Sequence, residues 1–256
     1  MTAGNPATAF AEVAEGAKTL LASAERYLDE SEMRYKRLEI EAKKTVNADP
    51  ALGYLLLAYI RQLVGDFEGV QERLANARKL NAPSLQVAEA SLPCFINLGN
   101  FTAARSSYCE AADPRQGHFT NNYESGATCG AFRLQRDFEE VAAKMNLKLP
   151  DSIPHAKYRH AAQVLDATAT RDDEVSALLD LAGEVLRTRR LFFLGPSPDI
   201  DVVDDPESDS CVFMNFRVAG GADNAAAMTV ELADMAAERL ERIPPGISVG
   251  FSSALV

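Results

Sequence analysis

No stretch of this chain is apolar over anything near the ~20 residues that a membrane-spanning helix needs, so no such segment is expected. The opening "MTAGNPATAFAEVAEG" has neither a basic start nor a continuous apolar run, so a secretory signal is not expected either. None of the cysteines, Cys94, Cys109, Cys129 and Cys211, stands in CxxC spacing, which argues against a zinc site and a thioredoxin-like motif. A chain of 256 residues can bury a core without cross-links, and its unpatterned thiols suit a reducing compartment. A cytoplasmic location is expected. Positive charge is scarce. The net charge is −11, and residues 151–256 carry 9 basic against 18 acidic side chains. The densest basic run, "RTRR" at 187–190, ends a helical pattern where cations suit the helix dipole, so nucleic acid is not an expected partner.

The signatures of common catalysts are missing as well. There is no GxGxxG, GK[ST] or HExxH. His155 and His160 are five residues apart, not at the i, i+4 spacing that puts two ligands on one helix face, and His118 stands apart from both. Cys94 and Cys109 fall on helical patterns, where a small thiol ordinarily packs. No catalytic set, metal or cofactor is expected.

What the chain does have is a phrase written three times between apolar segments. "LVGDFEGVQ" occupies 63–71, "NLGNFTAAR" 97–105 and "LQRDFEEVA" 134–142. Gly65 and Gly99 are 34 residues apart, and Phe101 and Phe138 are 37 apart. Before Gly65, Tyr54, Leu57, Ala58 and Ile60 recur at helical spacing; after it Val70, Leu74, Ala77 and Leu80 do the same until Pro83. This predicts two amphipathic helices with Gly65 in a left-handed turn and Asp66 capping the second helix. The second copy offers Gly99, Asn100 and Phe101, then Ala104, Tyr108, Ala111 and Pro114, with Pro93 inside its first helix. The third puts Arg136 in place of glycine, keeps Asp137 and Phe138, and continues to Val141, Met145 and Pro150.

This pattern resembles the tetratricopeptide repeat, a helix-turn-helix unit with a period of about 34 residues. The first copy carries the resemblance best, through Tyr54, Leu57, Ala58, Gly65, Phe67, Leu74, Ala77 and Pro83. A further unit is expected over 18–50. The resemblance implies an α-solenoid over residues 1–190 with a concave groove lined by the first helix of each unit. By register, the groove residues are Leu52, Leu55, Tyr59, Gln62 and Leu63 in the first copy. They are Gln86, Glu89, Ile96 and Asn97 in the second, and Tyr123, Arg133 and Leu134 in the third. The set has a single basic member, so it lacks a clamp for a carboxylate-terminated peptide. An apolar peptide or helix fits it better. An irregular helical bundle is the alternative to the solenoid, and burial of Leu52, Leu55, Tyr59 and Leu63 against the N-terminal helices is the alternative to the groove.

Helical patterning continues through 155–170 and 173–190. The texture then changes, and residues 191–256 predict a small α+β domain of three or four strands and one helix. "LFFLG" at 191–195, Ile200–Val203, "CVFMNFRV" at 211–218 and "ISVGFSSAL" at 247–255 read as strands, and 222–243 as a helix. The last strand is expected at the centre of the sheet, because it carries no lysine or proline to blunt an edge. The overall class is α+β.

Function divides three ways. The resemblance implies a non-enzymatic adaptor, chaperone-like or regulatory protein that binds another protein. An inhibitor or immunity-type protein would use the acidic C-terminal half to mask a basic partner. An enzyme would work near Gly220 and Gly221, which stand between a strand and a helix, or at Asp199, Asp201, Asp204, Asp205, Glu207 and Asp209, whose carboxylates suit a hard cation. A turn glycine pair and a solvated loop are the favoured explanations of those two features.

Overall fold

A computed structural model describes residues 6–112, 123–149, 154–204 and 210–254. Helices come first: α1 (Pro6–Ser23), α2 (Met33–Ala48), α3 (Pro50–Arg61), α4 (Phe67–Lys79), α5 (Ser84–Asn97) and α6 (Phe101–Ala111). The short α7 (Ser125–Thr128) precedes α8 (Phe132–Lys144), α9 (His155–Ala167) and α10 (Asp172–Thr188). Strands β1 (Asp199–Val203) and β2 (Cys211–Val218), helix α11 (Gly221–Arg239) and strand β3 (Ile247–Ser253) complete the chain. This is an α+β layout, with the sheet confined to the C-terminal part of the described residues.

Local chemistry sets the helix boundaries. Pro50 starts α3 where its missing N–H costs nothing, and Asp49 Oδ1 accepts from Leu52 N at 3.1 Å. Gly65 takes φ 76°, and Asp66 Oδ1 caps α4 by accepting from Gly69 N at 2.8 Å. Gly65 also has no room for a side chain, since a Cβ there would meet the Tyr27 ring at 2.2 Å. The second turn repeats the device, with Gly99 at φ 62° and Asn100 Oδ1 accepting from Ala103 N at 3.0 Å. α3 then packs on α4 and α5 on α6, neighbouring pairs compatible with a helical repeat. The closing Pro114 and Pro150 of the later copies lie outside the described residues.

The third copy of the phrase is not a turn. Asp137 and Phe138 lie in the middle of α8, and the turn falls earlier, at Gly130 (φ 77°), Ala131 and the buried Phe132. Ala131 has no side chain to cap with, so α8 borrows one: Asp172, at the start of α10, accepts from Arg133 N at 3.1 Å and from Leu134 N at 3.2 Å. Asp180 on the same helix accepts from Phe101 N at 2.5 Å and Thr102 N at 3.1 Å. One helix therefore satisfies the free amides at the start of two others.

The sheet has the order β1-β2-β3, with β1 antiparallel and β3 parallel to β2. β2 is central and β3 is an edge, which corrects the expected position of the last strand. The segment expected as a fourth strand, 191–195, forms a lone bridge from Leu191 to Arg26, although Leu194 N donates to Arg217 O at 2.7 Å. Alternate residues of β2, Val212, Met214, Phe216 and Val218, are fully buried. Phe216 meets Phe101 of α6 at 5.6 Å between ring centroids, Phe193 at 5.4 Å and Phe251 at 6.0 Å. The buried hydrophobic cluster thus runs from the helices into the sheet. Among the described residues no helix is long and apolar enough to cross a membrane.

Candidate functional site

The residues expected on the concave face fall into two groups. Leu52, Leu55 and Tyr59 of α3 form the floor of a cleft of about 330 Å³, whose far wall is Gln86, Glu89 and Ala90 of α5. Its near wall is Phe10 of α1, set edge-on to the Tyr59 ring at 6.4 Å and 83°. Tyr59 also borders a second cleft, of about 370 Å³, together with Gln62, Asn97 and Pro93. α1 supplies the wall there too, through Ala11, Ala14 and Lys18 among others. The two clefts share Tyr59. From Leu52 to Gln62 they follow about 15 Å of the α3 axis, at 1.5 Å per helical residue.

The chemistry along this path is apolar with a few amides and, among the described residues, Glu89 in the first cleft and the Glu15–Lys18 pair, 3.9 Å apart, at the second. Gln62 is fully buried and committed to the fold, since its Nε2 donates to Tyr59 O at 3.0 Å and its Oε1 accepts from Asn97 Nδ2 at 2.9 Å. That pair fixes α3 against α5 and sets the width of the second cleft. Burial pushes the Tyr59 phenol well above its ordinary range, with smaller contributions from Cys94 and Glu89, so the hydroxyl stays protonated at neutral pH. Gln86, at the rim, is exposed, while Leu52 and Glu89 are half-buried.

The rest of the expected set lies elsewhere. Leu63 and Ile96 are buried in the helical core. Arg133 and Leu134 sit in the first turn of α8 rather than on the first helix of a unit, which corrects the register of the third copy. Their backbone amides are taken by Asp172, and Arg133 Nε lies 2.6 Å from Asp166 Oδ1. Tyr123 is fully buried, and its hydroxyl donates to Glu139. His155 Nδ1 is 3.1 Å from that hydroxyl and 3.3 Å from Glu139 Oε1, and Arg159 Nε is 3.7 Å from Glu139 Oε2. This polar cluster ties α9 to α8. Burial, and then the hydrogen bond to Glu139, keep the Tyr123 phenol protonated.

The sequence pattern missed Phe10, Ala90 and Pro93. Phe10 had no signal, because it precedes every expected repeat copy. Ala90 and Pro93 were discoverable, being spaced with Gln86, Glu89 and Asn97 on one face of α5.

The two other candidate regions are built differently. Asp199 faces Arg217 Nε at 3.3 Å, Asp201 meets Lys157 Nζ at 2.6 Å, and Asp204 lies 3.3 Å from His160 Nε2. Asp205, Glu207 and Asp209 lie outside the described residues, as does His118. Among the described residues no group of three or more histidine, cysteine, aspartate or glutamate side chains is placed to hold a metal ion. Gly220 and Gly221 take φ 106° and 83°, and Asn224 donates to Ala219 O rather than capping α11. Comparison with protein-family models, with curated proteins and with solved structures finds no match to this chain.

Proposed function

We propose that this protein is a non-enzymatic binding scaffold, an adaptor or chaperone-like regulator, whose ligand is an apolar segment of another protein lying along α3. The observation that carries the reading is the convergence of Leu52, Leu55, Tyr59, Gln86 and Glu89 on one open cleft. Those positions were expected to face a ligand on the strength of a tetratricopeptide-like register alone. The length of the path, about 15 Å, suits roughly ten residues of bound helix or fewer residues of extended chain. Apolar lining with a few polar groups at the rim is the usual make-up of a helix-in-groove site.

The test is affinity capture from the native cell with the full chain as bait, alongside two variants that obstruct the cleft from its outer residues. Gln86→Trp places an indole at the exposed rim, and Leu52→Lys charges the floor. A stoichiometric protein partner that is held by the parent chain and lost by both variants, with their melting curves unchanged, supports the proposal. Equal capture by all three proteins refutes it, and a co-purifying small molecule with no protein would direct attention to an enzyme.

A further inference from the structure

Among the described residues Glu89 is the only charged one lining the first cleft. It is half-buried among Leu52, Leu55, Tyr59 and Ala90, and among the described residues its carboxylate has no salt bridge or hydrogen bond. A second acceptor belongs to the same residue. Pro93, one helical turn further along α5, has no N–H to give to the Glu89 carbonyl, so that oxygen lacks its normal helical donor. Both residues face the path, Glu89 in the first cleft and Pro93 in the second.

We propose that Glu89 determines specificity at this site by pairing with one arginine or lysine of an otherwise apolar bound segment. The proposal rests on the cleft being the ligand site, and adds what the ligand must carry. The physical reason is asymmetric. A cation brought into the cleft meets a carboxylate that apolar neighbours have already partly stripped of water, so its own desolvation is offset by pairing. A neutral segment would cover that carboxylate and leave it without a partner, and an acidic one would add repulsion, so both are rejected. Arginine is favoured over lysine, because its planar fork can meet a carboxylate with two parallel hydrogen bonds. The net charge of −11 draws the same class of partner toward the molecule from a distance.

The experiment is selection of a displayed library of random twelve-residue peptides on the immobilised full chain, with Gln86→Trp as counter-selection. Enrichment of apolar peptides bearing a single basic residue is expected. Glu89→Lys should invert the preference toward peptides with a single acidic residue. Glu89→Gln, which keeps the shape, should weaken a selected basic peptide by about tenfold, read by fluorescence anisotropy. Among the described residues the Glu89 carboxylate makes no ion pair or hydrogen bond, so both variants should melt as the parent does. Peptides that enrich in a cleft-dependent way without a basic residue, or with the same basic residue on Glu89→Lys, would overturn this proposal and leave the cleft standing. Failure to enrich anything that Gln86→Trp loses would overturn the cleft as ligand site, and this proposal with it.

Discussion

The two phenylalanines that follow the turn glycines look equivalent in the sequence, but their surroundings differ. Phe101 is fully buried and packs on Phe216 of the sheet at 5.6 Å. Phe67 is half-buried and meets Phe95 at 6.0 Å. Large-to-small changes in a closed core cost about 3–5 kcal/mol, and Phe101→Ala should fall in that range. Phe67→Ala should cost about 1–2 kcal/mol, because water can reach part of the space vacated. Urea denaturation of the two variants checks the ranking; equal losses would show that the repeat position, not the burial, sets the cost. Gly183 is the sharper case. A Cβ at Gly183 would stand 1.8 Å from the Gly99 carbonyl oxygen, so α10 and the second turn touch backbone to backbone. Gly183→Ala should force them apart and destabilise by about 3 kcal/mol, the upper end of overpacking costs. A melting temperature within a degree or two of the parent's would contradict that contact.

At the scale of elements, α10 has a role that its amphipathic stripe does not reveal. Asp172 and Asp180 hold the first-turn amides of α8 and α6, so replacing either by alanine should cost about 1–2 kcal/mol, the loss of an N-cap, without touching the core. Asp172 also carries a pH signature. Burial holds its carboxyl above the usual carboxylate range, outweighing the two backbone amides that pull it down. A folded value above the unfolded one means a contribution that is full below the unfolded value and lost as pH rises through the folded one. Asp172→Asn does not titrate, so its penalty relative to the parent should shrink as pH rises through the carboxylate range. A growing penalty would show that the amides win over burial. These long-range caps also explain what could be read from the sequence. Gly65-Asp66 and Gly99-Asn100 were legible because glycine and cap are adjacent. The turn at Gly130 was not, because Ala131 leaves the capping to Asp172, 41 residues downstream. The familiar Asp137-Phe138 pair then pulled the register onto a mid-helix position, and with it Arg133 and Leu134. The cleft residues of α3 and of the first part of α5 were legible because they depend on the two well-signalled turns. The place of β3 was misjudged for a comparable reason. Its edge is blunted not by lysine or proline in the strand but by Thr229 of α11, whose Oγ1 accepts from Phe251 N at 3.0 Å.

Taken whole, the molecule joins its helices to its sheet through shared side-chain packing. Phe101 reaches Phe216 of β2, and α10, whose Gly183 abuts Gly99, packs on α11 and β3. Arg187 at the end of α10 donates to the carbonyls of Leu98 at 2.8 Å and Gly99 at 2.6 Å. At the other side of the sheet, Thr168 Oγ1 donates to Pro245 O at 3.2 Å, and Thr170 makes a hydrogen bond to the same carbonyl. A three-stranded sheet with one helix buries too little apolar surface to be very stable alone, so these contacts should dominate its stability. The expectation is one cooperative unfolding unit rather than a sheet that opens while the helices persist. Phe216→Ala, made in the sheet, should therefore lower amide protection in α5 and α6 as much as in β2, as measured by hydrogen exchange with mass spectrometry in low denaturant. The cleft along α3 should loosen in the same step, since α5 forms its far wall. Loss of protection confined to residues 199–253, with α3 to α6 unchanged, would mean that the sheet folds as an appendage and that the aromatic bridge adds little to the helices.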